Sequence, residues 1–223
     1  MLKVASIMSV LGVGVGASTL RGVDNSADSV TTTNRADLAH ILRDANGNKI
    51  MCGCPELNAR EGKEIDTHVT ARMAQLSKSP SYKATAGGSI NVYFHVLRKN
   101  GDPITATDQM IDAQMTVLNN AFSTGGWSFV KASVDHYENS VWADLEGDDE
   151  PAKRALRKGN SNDLNFYMAD LPTLLGYAYY PWVYSATNWW KDGVVVDTQT
   201  LPGGNFNNYN GGDTATHEVV EDR

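Results

Sequence analysis

From residue 89 the chain alternates. Ile90, Val92, Phe94 and Val96 stand between Asn91, Tyr93, His95 and Leu97, a period of two that predicts a strand with one strongly apolar face. Lys99-Asn100-Gly101-Asp102-Pro103 turns the chain. The period then becomes helical. Over 108–122, Ile111, Met115, Leu118 and Phe122 form one stripe, Thr107 is placed to cap its start, and Gly125-Gly126 ends it. Residues 127–132 predict a second strand, and 151–158 a short helix. That helix has Asp148-Asp149-Glu150 at its start and Arg157-Lys158-Gly159 at its close, as the helix dipole and a C-terminal cap favour. Two further strands follow at 163–169 and 192–197. Strands alternating with helices predict an α/β (α+β) domain.

The pattern upstream is weaker. Residues 18–50 are rich in Ser, Thr, Asn and Asp without sustained periodicity, apart from a candidate short helix at 36–43. Over 55–76, Ile65, Val69 and Met73 recur at four-residue spacing in a charged, helix-compatible stretch, and 77–88 has linker composition. The first residues differ again. Lys3 precedes a short apolar run that ends in small residues, with Val15 and Ala17 suitably placed for cleavage before Ser18. The expected organisation is a signal peptide (1–17), a flexible propeptide-like segment (18–88) and a domain (89–223). A disordered tail accounts for 18–88 equally well on composition.

Composition narrows the function classes. Of 223 residues, 41% are hydrophobic and 20% charged, ordinary for a globular protein. A net charge of −7 with no Lys/Arg run argues against nucleic acid as a partner. Past the N-terminal segment no stretch is long and apolar enough for a transmembrane helix, so the expected location is secreted and extracellular, without membrane association beyond secretion. The two cysteines, Cys52 and Cys54, flank Gly53; a bridge between them would be strained, and the spacing is not that of C-x-x-C sites.

Three segments carry candidate chemistry. The aromatic stretch Gly176-Tyr177-Ala178-Tyr179-Tyr180-Pro181-Trp182-Val183-Tyr184, with Trp189-Trp190 beyond it, suits either a groove for an extended peptide or packing against a sheet. The Gly-rich residues 202–212 lack phosphate-loop spacing and a following Lys, so they form a connection and not a nucleotide cradle. After Asp213-Thr214-Ala215-Thr216, His217-Glu218 matches the first half of H-E-x-x-H, which sets two zinc-binding histidines one helical turn apart with a general base between them. The dipeptide alone is a weak signal.

Its surroundings strengthen it. Ile90-Asn91-Val92-Tyr93-Phe94-His95-Val96, Ala155-Leu156-Arg157-Lys158-Gly159 with Asp163-Leu164-Asn165-Phe166-Tyr167, Leu175-Gly176-Tyr177, Pro181, Asp192-Gly193-Val194-Val195, Leu201-Pro202-Gly203-Gly204, Tyr209-Asn210 with Gly212, and Thr216-His217-Glu218-Val219 follow one another in order. Over about residues 89–219 this set resembles the secreted fungal-type zinc metalloproteases of the pappalysin group of metzincins. The resemblance implies a zincin-like N-terminal subdomain with a twisted mixed sheet and a few helices. It implies His217 as the first zinc ligand, Glu218 as general base, and Gly176, Tyr177 and Ala178 as the upper edge strand of the substrate cleft. Zinc is the implied cofactor, with calcium as a further expectation, and protein or peptide substrates are the implied partners. The implied reaction is endopeptide hydrolysis by zinc-activated water, with Glu218 passing the proton.

The family's site is H-E-x-x-H-x-x-G-x-x-H with a later Met-turn. Here the second-ligand position holds Glu221, and the third His and the Met-turn have no counterpart. The expectation is therefore a domain truncated at its zinc-binding helix, without the C-terminal subdomain and catalytically inactive. Cys52 or Cys54, upstream of the domain, is a candidate thiolate for holding the zinc of a latent precursor; an unpaired or intermolecular cysteine is the alternative. His95 is expected on the polar face of its strand and His136 in a solvated loop. The alternative function is a secreted non-catalytic module that binds peptide or protein along the edge strand.

Overall fold

The structure, a computed structural model, describes residues 50–52, 59–76, 78, 87–180 and 184–222. In chain order its elements are β1 (Ile50–Cys52), α1 (Ala59–Leu76), β2 (Gly88–Arg98), α2 (Asp108–Phe122), β3 (Trp127–Glu138), α3 (Glu150–Leu156), β4 (Leu164–Ala169), β5 (Leu174–Tyr177), β6 (Val194–Asp197) and α4 (Asp213–Asp222). The six strands form one sheet in the order β1-β5-β6-β4-β2-β3. Every neighbouring pair is parallel except β5 and β6, so the fold is a mixed α/β sheet with few helices.

Alternation along β2 divides the interior in two. Val92, Phe94 and Val96 face α2 and α4, packing with Phe166, Val194 and Val196 of the sheet, Ile111 and Leu118 of α2, and Val219 of α4. On the other face Leu97, Tyr167, Tyr177 and Val195 meet Leu145, Ala152 and Leu156 from residues 145–156. Parallel strands joined by crossovers are covered on both faces. That corrects the expectation of a polar second face on β2. His95 points into the second core and is fully buried.

The long periodic elements form as their patterns require. Thr107 Oγ1 accepts from Met110 N at 3.3 Å, capping α2, and Ile111, Met115, Leu118 and Phe122 are all buried. Gly126, at φ 71°, takes the left-handed turn that sends the chain into β3, and its carbonyl accepts from Gly88 N at 3.0 Å. β3 extends to Glu138, so His136 lies in a strand and not in a loop, 3.6 Å from Asp108 Oδ1. Ala132 of β3 is the extra residue, bulging opposite the step from Val92 to Tyr93 of β2.

The short strands were not legible as periodicity. β1 has three residues, fewer than a period-two count needs, and the four of β5 are all buried, without alternation. β1 also brings part of the propeptide-like segment into the domain's sheet. The signal-like residues 1–17, the helix at 36–43, Cys54 and the Ile65, Val69 and Met73 side chains lie outside the described residues. Among those described, no helix is long and apolar enough to cross a membrane.

Candidate metal and substrate site

α4 places the His-Glu pair. The chain reaches it through Gly212, at φ 87°, where a Cβ would stand 2.7 Å from Gln114 Oε1 and 3.0 Å from Pro202 Cγ. Gln114 Nε2 donates to the Gly212 carbonyl at 3.0 Å, fixing the start of α4 against α2. Asp213 in the first turn suits the positive end of the helix dipole. Ala215 and Val219 then dock in the main core. At about 100° per residue, Glu218 shares their inward side while His217 turns outward. The burial agrees: Glu218 is fully buried and His217 exposed.

Glu218 lies against the backbone of β5. A Cβ on Gly176 would be 3.1 Å from both Cγ and Oε1 of Glu218, and 3.0 Å from the Val195 carbonyl oxygen. Glycine at 176 thus gives the Glu218 carboxylate its seat. In the sheet Gly176 registers with Val196 of β6 on one side and with Cys52 of β1 on the other. The residues the sequence singled out therefore meet: His217 and Glu218 on the helix, Gly176 below the carboxylate, and the Cys52 backbone beside Gly176.

Tyr177 and Ala178 take a different place. Ala178 packs into the main core. The Tyr177 ring lies in the second core, on the face away from α4, with its hydroxyl 2.6 Å from the Leu145 carbonyl oxygen. Trp190 is buried as well, so packing accounts for these aromatic side chains, and the backbone of β5 pairs with β6 on one side and with β1 on the other.

The other histidines do not join the site. His95 lies across the sheet, stacked on Tyr167 at 4.7 Å between centroids, with Nε2 3.0 Å from Asn165 Oδ1. Burial lowers its pKa to about 4, against the raising influence of the Asn165 bond and of Asp135. His136 stands on the outermost strand β3. The His68 and Glu221 side chains and all of His40 fall outside the described residues. Among those described, no group of three His, Cys, Asp or Glu side chains could hold a metal ion.

Known proteins give the site its context. An extracellular metalloprotease of Sordaria macrospora is 38% identical over 175 residues, covering 75% of this chain and 60% of that protein. This chain is similar to fungal extracellular metalloproteases. A metalloprotease of Neurospora crassa is 36% identical over 173 residues, with 75% and 60% covered, and one of Podospora anserina is 43% identical over 187 residues, with 75% and 62% covered. The chain thus spans less than two thirds of the length of these metalloprotease relatives. Among solved structures, mature mirolysin of Tannerella forsythia in complex with a cleaved peptide aligns with a TM-score of 0.49 and 23% identity, covering 61% of this chain and 63% of that one. No protein-family model matches the chain.

Proposed function

We propose that this chain carries the propeptide-like segment and the first zinc ligand and general base of a secreted zinc metalloendopeptidase, acting on protein or peptide substrates. His217 is the ligand, Glu218 the base, and the backbone of Gly176, Tyr177 and Ala178 the edge against which an extended substrate lies. The observation that carries this reading is the seat of Glu218. A fully buried carboxylate packs on a side-chain-free position of β5, with an exposed imidazole one residue before it on the helix. The relatives named extracellular metalloproteases support it, and with the sequence of residues 1–17 they support secretion. The pappalysin grouping rests on the ordered motifs of residues 89–219.

Catalytic zinc takes three protein ligands and keeps one open position. Among the described residues no three His, Cys, Asp or Glu side chains come together to hold a metal ion, so they do not complete such a site. No hydrolytic step is assigned to them, and we expect the sequence as it stands to be inactive.

The pairing of β1 with β5 supports the latency role of the cysteines. Cys52 stands in register with Gly176, the residue beneath Glu218, so the propeptide-like segment runs through the expected substrate edge. The same pairing favours the second reading, a non-catalytic module, because it is backbone capture by that edge. Cobalt titration tests the ligands. Loss of a thiolate-to-cobalt charge-transfer band in Cys52→Ser or Cys54→Ser, and an altered ligand-field spectrum in His217→Ala, are expected. A spectrum unchanged by all three substitutions would remove the metal assignment.

A further inference from the structure

The second core contains an ion pair with no part in the site described so far. Lys153 of α3 is fully buried and Asp149, one turn earlier, is 4% exposed; Lys153 Nζ lies 3.6 Å from Asp149 Oδ2. Its ammonium also donates to the carbonyls of Gly193 at 3.2 Å and Lys191 at 3.4 Å. Around it stand the rings of Tyr167, Tyr177 and Tyr179, with centroids at 5.3, 5.5 and 5.1 Å. Asp149 in turn accepts from the Tyr179 hydroxyl at 3.3 Å and shares the single hydroxyl hydrogen of Tyr177, at 3.0 Å, with the Leu145 carbonyl. One cation and one anion thus tie together α3, the end of β5 and the residues leading into β6.

Stability alone is a poor reason for such a pair. Desolvating two charges costs about as much as their attraction returns, and well-packed apolar residues of the same volume often do as well or better. What apolar residues cannot supply is direction: hydrogen bonds fix the Tyr177 and Tyr179 hydroxyls and the two carbonyls at set distances. The other end of β5 is held from the same segment. The Glu146 carboxylate accepts from Thr173 N at 2.8 Å and Leu174 N at 2.7 Å. On the opposite face of β5, Gly176 meets Glu218, so closely that a Cβ at 176 would stand 3.1 Å from Glu218 Cγ and Oε1.

We propose that Lys153, paired with Asp149, is a positioning residue that fixes β5, and with it the approach of Gly176 to Glu218. Its functional meaning rests on the reading of Glu218 as the general base, but its test needs neither zinc nor hydrolysis. In the full chain, Lys153→Met strands a buried carboxylate, whereas Lys153→Met with Asp149→Leu replaces the pair by apolar bulk. The double variant recovers the urea midpoint of the parent. Its amides at residues 174–177 nevertheless exchange at least tenfold faster than in the parent while those at 92–96 are unchanged, and the nuclear Overhauser effect between Gly176 Hα and Glu218 Hγ weakens. A double variant that regains both the midpoint and the slow exchange at 174–177 overturns the proposal, as does one that exchanges faster throughout the sheet. If the double variant does not fold, Asp149→Asn, which keeps the volume, gives the same regional comparison, and uniform exchange there overturns the proposal too.

Discussion

Replacing Gly176 by alanine tests the seat of Glu218 directly. The backbone at 176 is outside the left-handed region, so alanine meets no conformational penalty there and gains about 0.4–1 kcal/mol from a more restricted unfolded chain. Against that gain stands the space. The new methyl would lie 3.0 Å from the Val195 carbonyl oxygen and 3.1 Å from Glu218 Cγ and Oε1, closer than ordinary van der Waals contact. Forcing a methyl into a packed site costs about 1–3 kcal/mol. The net expectation is a loss of about 0.5–2 kcal/mol, since part of the strain relaxes by displacing the Glu218 side chain. Gly62, in helix α1, supplies the control: nothing lies within 4 Å of a Cβ there, and alanine in a helix interior gains up to about 1 kcal/mol over glycine. Urea unfolding of both variants, with the slope held constant, measures the difference. If Gly176→Ala stabilises the protein as much as Gly62→Ala does, Gly176 is not the seat of Glu218.

Two other perturbations address the frame around the site. His95 has a folded pKa of about 4, below the ordinary 6.5, so the unfolded chain binds its proton first as pH falls. Its stability contribution is complete above pH 6.5 and is lost progressively down to about pH 4, for a total of about 3 kcal/mol. Asp135, Lys158, Tyr137 and Tyr167 surround it, and His95→Gln should flatten the slope of stability between those pH values while the parent keeps it. Thr107→Ala removes the bond to Met110 N and should cost about 1 kcal/mol, read as a lower urea midpoint, with Thr107→Ser close to the parent.

The sequence made the long elements legible and the site half so. α2 shows what sufficed: a four-turn apolar stripe, a capping Thr and a terminal glycine all agree, and the helix forms where they place it. β2 shows the first limit. Its apolar face was readable, but a single strand says nothing of what covers its other side, and a central parallel strand buries His95 among Tyr137, Asn165 and Tyr167. β1 and β5 show the second. β1 is too short for a period and β5 does not alternate, so their pairing, and the meeting of Cys52 with Gly176, depends on tertiary context. The His-Glu pair was visible as half of a motif, and its orientation follows from Ala215 and Val219 turning Glu218 inward. The Lys153–Asp149 pair gave only the charge pattern of an ordinary helix start, since burial is what sets it apart from the neighbouring exposed Glu150–Arg154 pair.

The proposal makes His217 and Glu218 a metalloprotease's first zinc ligand and general base, with no further ligands joining them among the described residues. Zinc titration of the purified chain, run beside casein cleavage, tests it most directly. Weak zinc binding that His217→Ala weakens further, and no casein cleavage above that of Glu218→Gln, are expected. Tight one-to-one zinc binding together with casein cleavage that Glu218→Gln abolishes would contradict it.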